Sequence, residues 1–82
     1  MISITDLLNK IKWDKQEHPE DYTLAYYDRV EETLKEIKLT RVTIEEGFMK
    51  TRINAKDVNI PLHRIREVRK KGELIWKRNI KE

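Results

Sequence analysis

The first thirteen residues carry their hydrophobic positions at helical spacing. Ile4, Leu7, Leu8 and Ile11 fall on one face of a helix predicted over Ser3–Trp13. Ser3 or Thr5 is placed to cap it, Asp6 stands in its first turn, and Lys10 and Lys12 stand in its last, as the helix dipole favours. A helix with one apolar face is expected to lie on a sheet. From Tyr22 the period changes to two. Tyr22, Leu24, Tyr26 and Asp28 alternate with Thr23, Ala25, Tyr27 and Arg29, and the β-branched and aromatic content suits a strand. Val30–Leu39 fits both periods, with Val30, Leu34 and Ile37 at helical spacing and Thr33, Ile37 and Leu39 alternating. The alternation that runs on through Ile37–Ile44 favours a strand, with a bend near Thr40. Glu45-Glu46-Gly47 reads as a tight turn, Phe48–Ile53 as a strand and Asn54–Asp57 as another turn.

The pattern closes on Ile60–Arg78. Pro61 has no amide hydrogen, so it marks a strand boundary or opens a short helical turn over Leu62–Arg64. Arg64–Lys70, Lys71-Gly72 and Glu73–Arg78 then read as a hairpin with Leu74, Trp76 and Arg78 on one face. The competing assignment is a helix over Leu62–Lys70 with Gly72 just past its end. The elements together predict an α+β chain: an N-terminal helix packed on a small curved antiparallel sheet or barrel of about five strands.

Composition narrows the classes. The 82 residues are expected to form one domain, 1–82. Cysteine is absent, which excludes a disulfide framework, a thiolate nucleophile and a thiolate metal site. No apolar run reaches the length of a membrane span, and the N-terminus lacks the layout of a signal peptide, so the expected location is cytoplasmic and away from membranes.

Charge adds a direction. Residues 61–82 hold eight Lys/Arg against three acids, a balance of +5, while residues 1–60 hold ten against twelve, a balance of −2. A polyanion site is therefore expected in the last quarter. The composition of that quarter suggests nucleic acid, with Arg66, Arg69 and Arg78 extending a patch around His63-Arg64 and Trp76 or a tyrosine available to stack on a base. His63 has two readings that the sequence leaves open. It is a phosphate ligand beside Arg64, or it closes the turn after Pro61 through a backbone hydrogen bond. His18, next to Pro19 in the polar loop Asp14–Asp21, is read as exposed. The two histidines stand apart and the two glycines stand alone, so the expectation is no catalytic residue set, no metal and no cofactor.

Four short motifs in order carry a resemblance: Lys12-Trp13-Asp14, Tyr27-Asp28-Arg29, Ile60-Pro61-Leu62-His63-Arg64-Ile65 and Ile75-Trp76-Lys77-Arg78. From about Leu7 to Arg78 the chain resembles a small archaeal family whose domain is proposed to recognise RNA termini bearing a cyclic phosphate. Similar eukaryotic domains are joined to phosphoesterase and nucleotidyltransferase modules, which implies RNA-processing enzymes as further partners. The resemblance implies that Arg29, His63, Arg64 and Arg78 hold phosphate oxygens, and Arg66 of the basic patch is expected to join them. It also implies that Trp13 or Tyr27 stacks on the terminal base, that Asp28 orients Arg29 or His63, and that Asp14 belongs to the same set. Two positions depart from the family pattern: Leu62 where an aromatic is frequent, and Lys77 where an acid is frequent. The expected function is a non-catalytic RNA-binding module reading a phosphorylated or cyclic-phosphate 3′ end. The rival readings are a phosphoesterase using His63 and an adaptor for an acidic protein.

Overall fold

A computed structural model describes residues 2–78. Helix α1 (Ile4–Trp13) begins where Ser3 adopts an extended backbone and its hydroxyl accepts the Asp6 N–H at 3.1 Å. That satisfies one of the amides a helix start leaves unpaired. A single turn at Pro19–Asp21 leads into β1 (Tyr22–Asp28), which pairs with β2 (Thr33–Lys38). The expected bend near Thr40 is a turn at Leu39–Arg41. There the chain leaves the first sheet and enters β3 (Val42–Glu45), β4 (Phe48–Ile53) and β5 (Lys56–Pro61). Pro61 ends β5 and Leu62–Arg64 forms a helical turn, so the helix considered for Leu62–Lys70 does not form. The chain then returns to the first sheet as β6 (Ile65–Lys70) and β7 (Glu73–Lys77).

The α+β class and the helix lying on an antiparallel sheet are as expected. The number and arrangement of strands are not. Seven strands form two sheets, ordered β2-β1-β6-β7 and β3-β4-β5, and the described residues close no barrel. The reason is the 39–41 turn: it breaks the alternation once, and β3 pairs with β4 rather than with the strand that precedes it. Ile4, Leu8 and Ile11 of α1 join Tyr22, Leu24, Tyr26, Ile65, Val68 and Trp76 of the first sheet, Met49 and Ile60 of the second, and Leu62 of the turn between β5 and β6 in one core. Burying each large aliphatic side chain there contributes about 1.5–3 kcal/mol relative to exposure. Trp76 is a core residue whose indole N–H donates to the Ile2 carbonyl at 2.8 Å, tying the start of the chain to β7.

Three hairpins turn on two residues with positive φ: Glu46-Gly47, Asn54-Ala55 and Lys71-Gly72. Two left-handed residues match the twist of the flanking strands, which is why such turns dominate tight hairpins. Two register shifts interrupt the alternation, between Ala25 and Tyr26 on β1 against β6, and between Val68 and Arg69 on β6 against β7. The second corrects the face expected for β7: Val68 opposes Trp76 but Arg69 opposes Leu74, so Leu74 is exposed while Trp76 is buried.

Candidate functional site

The end of β1 is where the candidate residues begin to converge. Antiparallel pairing sets Tyr26 opposite Ile65, so the strand runs on toward the turn Leu62–Arg64 that precedes β6. The hairpin β4–β5 approaches the same end from the second sheet. Between them lies a cleft of about 400 Å³. Its first wall is Tyr26, Tyr27 and Asp28 of β1, Val30 of the following turn and Lys35 of β2. Its second is Ile53 and Asn54, then Lys56, Val58, Asn59 and Ile60 of β5, and Arg64 stands between the two walls.

Each charge in the cleft has a defined condition. Asp28 takes the Val30 N–H at 2.8 Å and the Glu31 N–H at 3.3 Å on one carboxylate oxygen and the Lys35 ammonium at 3.0 Å on the other. It builds the β1–β2 turn and holds Lys35, instead of orienting Arg29 or His63 as the motif reading expected. The hydrogen bond from Lys35, with those from the two amides, keeps the Asp28 carboxyl below the ordinary value. Lys35 also meets Glu31 at 2.9 Å, and these two carboxylates hold its ammonium well above the usual lysine range. Burial raises the Tyr26 phenol, which keeps a neutral hydroxyl in the cleft. Lys56 and Arg64, by contrast, have no carboxylate partner among the described residues. Two cations left unneutralised beside apolar walls are what an anionic ligand requires.

The other candidates take three kinds of place. Arg29 and His63 are exposed beside the cleft, Arg29 between cleft residues Asp28 and Val30 and His63 immediately before Arg64; no bond joins them among the described residues. Arg66 lies in the β1–β6 register shift and stacks over the Tyr27 ring at 5.4 Å, so the aromatic-plus-cation pair expected from Tyr27 and Arg29 is made by Tyr27 and Arg66. Arg78 turns inward. Its Nε donates to the Ile65 carbonyl at 3.0 Å, a terminal nitrogen reaches the Leu62 carbonyl at 3.5 Å, and the guanidinium lies 5.2 Å from the Trp76 ring centre. It positions the 62–65 turn, and with it Arg64. Trp13 and Asp14 are not in the cleft. Trp13 is 75% exposed with Lys12 over its ring at 5.5 Å, and Asp14 ends α1, its carboxylate accepting the Gln16 N–H.

Sequence reasoning missed Tyr26 as a cleft residue, and it missed Lys35, Lys56 and Asn59 altogether. None lies in a motif, and their one signal is position at or near a hairpin end, which does not say which hairpins will meet. A second cleft, of about 330 Å³, lies between α1 and β3, lined by Leu8, Ile11, Lys12, Leu39, Val42 and Ile44 among others. It is mainly apolar, contains a single cation and holds none of the candidate residues, so it is not the site favoured here.

Fold and site together define a small two-sheet α+β protein with a cation-lined cleft where the sheets meet. The chain belongs to the family of the MJ1316 RNA cyclic group end recognition domain, whose model matches residues 1–78. A UPF0248 protein of Saccharolobus solfataricus is 36% identical over 94% of this chain and 98% of its own length. UPF0248 proteins of Methanococcus maripaludis and Thermococcus sibiricus are 35% and 34% identical, over 97% and 84% of their lengths and 92% of this chain in both cases. No solved structure matches the chain.

Proposed function

We propose that this protein is an RNA-binding module that holds a phosphorylated or cyclic-phosphate 3′ end at the mouth of the cleft between the sheets. The observation that carries the reading is Arg64, which lines the cleft with Lys56 and has no described carboxylate partner. Its guanidinium supplies the planar donor pair that suits phosphate oxygens, and Lys56 adds a point charge from the β5 wall. Arg29 and His63 extend the donors at the rim. Asp28 and Lys35 neutralise each other and shape the turn, so they contribute position more than affinity. Preference over a 3′-hydroxyl end follows because an end without phosphate leaves the cations unpaired.

The test is a titration of one labelled RNA in 3′-hydroxyl, 3′-phosphate and 2′,3′-cyclic phosphate forms at two salt concentrations, with recovered RNA analysed for cleavage. Tighter binding of the phosphorylated forms, with the RNA intact, supports the reading. Equal affinity for all three forms overturns it. A cyclic phosphate opened during incubation replaces it with the hydrolytic reading centred on His63.

A further inference from the structure

Charge accounts for only part of the cleft. Its walls are largely carbon: the Tyr26 ring, Ile53, Val58, Ile60 and Val30. Val30 is 92% exposed at the tip of the β1–β2 turn, where folding provides no use for a β-branched aliphatic side chain. A site for phosphate alone needs donors and no apolar walls. At about 400 Å³ the cleft falls in the range of small-molecule sites, roughly 300–1,000 Å³.

The open edge of β5 also offers backbone polar groups at a residue that lines the cleft. Among the described residues β5 is the edge of its sheet, with β4 on one side and no strand on the other. The two-residue turn at Asn54-Ala55 makes Ile53–Lys56 the first hydrogen-bonded pair, and bonding then alternates along the ladder. The Leu62 N–H to Gly47 carbonyl bond at 2.9 Å agrees with this phase, since Phe48–Pro61 is then a non-bonded pair. Lys50–Asn59 is non-bonded by the same alternation, so the N–H and C=O of Asn59 point away from β4, toward the open edge. Asn59 lines the cleft. One donor and one acceptor side by side match the neighbouring acceptor and donor on the Watson–Crick edge of a base.

Resting on the reading above, we infer that the cleft binds the terminal nucleoside as well as its phosphate. The base packs between Val30 and Ile53 against the edge of β5 at Asn59, and the phosphate meets Arg64 and Lys56. The ligand class is a single nucleotide with a 3′- or 2′,3′-cyclic phosphate. Base selectivity is modest, because backbone groups do the reading.

The test is displacement of labelled cyclic-phosphate RNA by three competitors: adenosine 2′,3′-cyclic monophosphate, ribose 2,3-cyclic phosphate without a base, and inorganic phosphate. The expected result is displacement by the nucleotide at concentrations at least tenfold lower than by the base-less analogue. Val30→Ser, at a site too exposed to disturb folding, is expected to weaken the nucleotide several-fold and leave the base-less analogue unchanged. Equal potency of the two, or no displacement by the nucleotide, overturns the nucleoside pocket while the preference for phosphorylated RNA ends stands. If the RNA shows no preference among its end forms, the end reading fails. Direct calorimetric titration of the nucleotide then decides the pocket: saturable binding sustains it and none rejects it.

Discussion

At the scale of single residues, three basic or acidic side chains near the cleft do three different jobs. Arg64 has no carboxylate partner among the described residues and lines the cleft, so Arg64→Ala is expected to weaken binding of cyclic-phosphate RNA roughly ten- to a hundredfold, the range of one or two charge-assisted hydrogen bonds. Its thermal midpoint should stay at the wild-type value, and a large drop would show a structural role instead. Arg78 donates to two backbone carbonyls, so Arg78→Ala is expected to cost about 1–3 kcal/mol of folding stability in denaturant titration and to loosen end binding through the turn it holds. Unchanged stability would contradict that assignment. Asp28 has a carboxyl held below its ordinary value of 3.8, chiefly by Lys35. A lowered folded-state value means the interaction stabilises the protein above the ordinary value and is lost as pH falls through the folded one. Asp28→Asn should therefore be less stable than wild type at pH 7, and the gap should shrink as pH falls below about 3.8. A gap that is constant with pH would remove the charge from the explanation.

At the scale of elements, the hairpin turns place the walls of the cleft, and one carries the wrong residue for its geometry. Gly47 and Gly72 occupy left-handed positions at φ 86° and 85°, where glycine has no steric penalty. Ala55 occupies the equivalent position at φ 64°. A left-handed alanine costs about 1–2 kcal/mol, partly offset by the larger entropy that glycine loses on folding. Ala55→Gly is expected to stabilise the protein by up to about 1 kcal/mol in chemical denaturation; destabilisation would show that the side chain is packed. The strained turn sits next to Asn54 and Lys56, which line the cleft, a placement in keeping with strain near binding sites. The helix start is the simpler case. Ser3→Ala removes the acceptor for the Asp6 amide and should cost about 1 kcal/mol.

At the scale of the whole molecule, net charge says less than its distribution. The chain is only +3, and some of its basic side chains are already paired: Lys50 with Glu45, Arg69 with Glu67, Lys70 with Glu17. A site confined to the RNA end predicts a shallow salt dependence. With Arg64 and Lys56 both on the one terminal phosphate, log affinity should fall with log salt at a slope near −0.7, the value for about one neutralised phosphate on a single strand. Arg64→Ala should make that slope shallower still. A wild-type slope several times steeper would mean that the RNA is held over a broad surface and not at its end.

The sequence by itself determined whatever is local. The capped helix, the alternation of β1, the bend near Thr40, the stop at Pro61 and the Lys71-Gly72 hairpin all follow from forces acting within a few residues: side-chain period, backbone freedom and the amide missing from proline. It also pointed to Tyr27, Asp28 and Arg64, because these fall in short motifs. Tertiary structure decided the partition into two sheets, both register shifts and the membership of the cleft. A bulge replaces a two-residue period with an odd step that composition does not mark, so Tyr27 faces Arg66 and Leu74 leaves the face of Trp76. Lys35 and Lys56 lie 21 residues apart in sequence and meet across the cleft only because hairpins of different sheets pack against one core. Arg78 looked like a ligand from its motif and became a brace because the carbonyls it meets, Leu62 and Ile65, are brought to it by the pairing of β6 with β7.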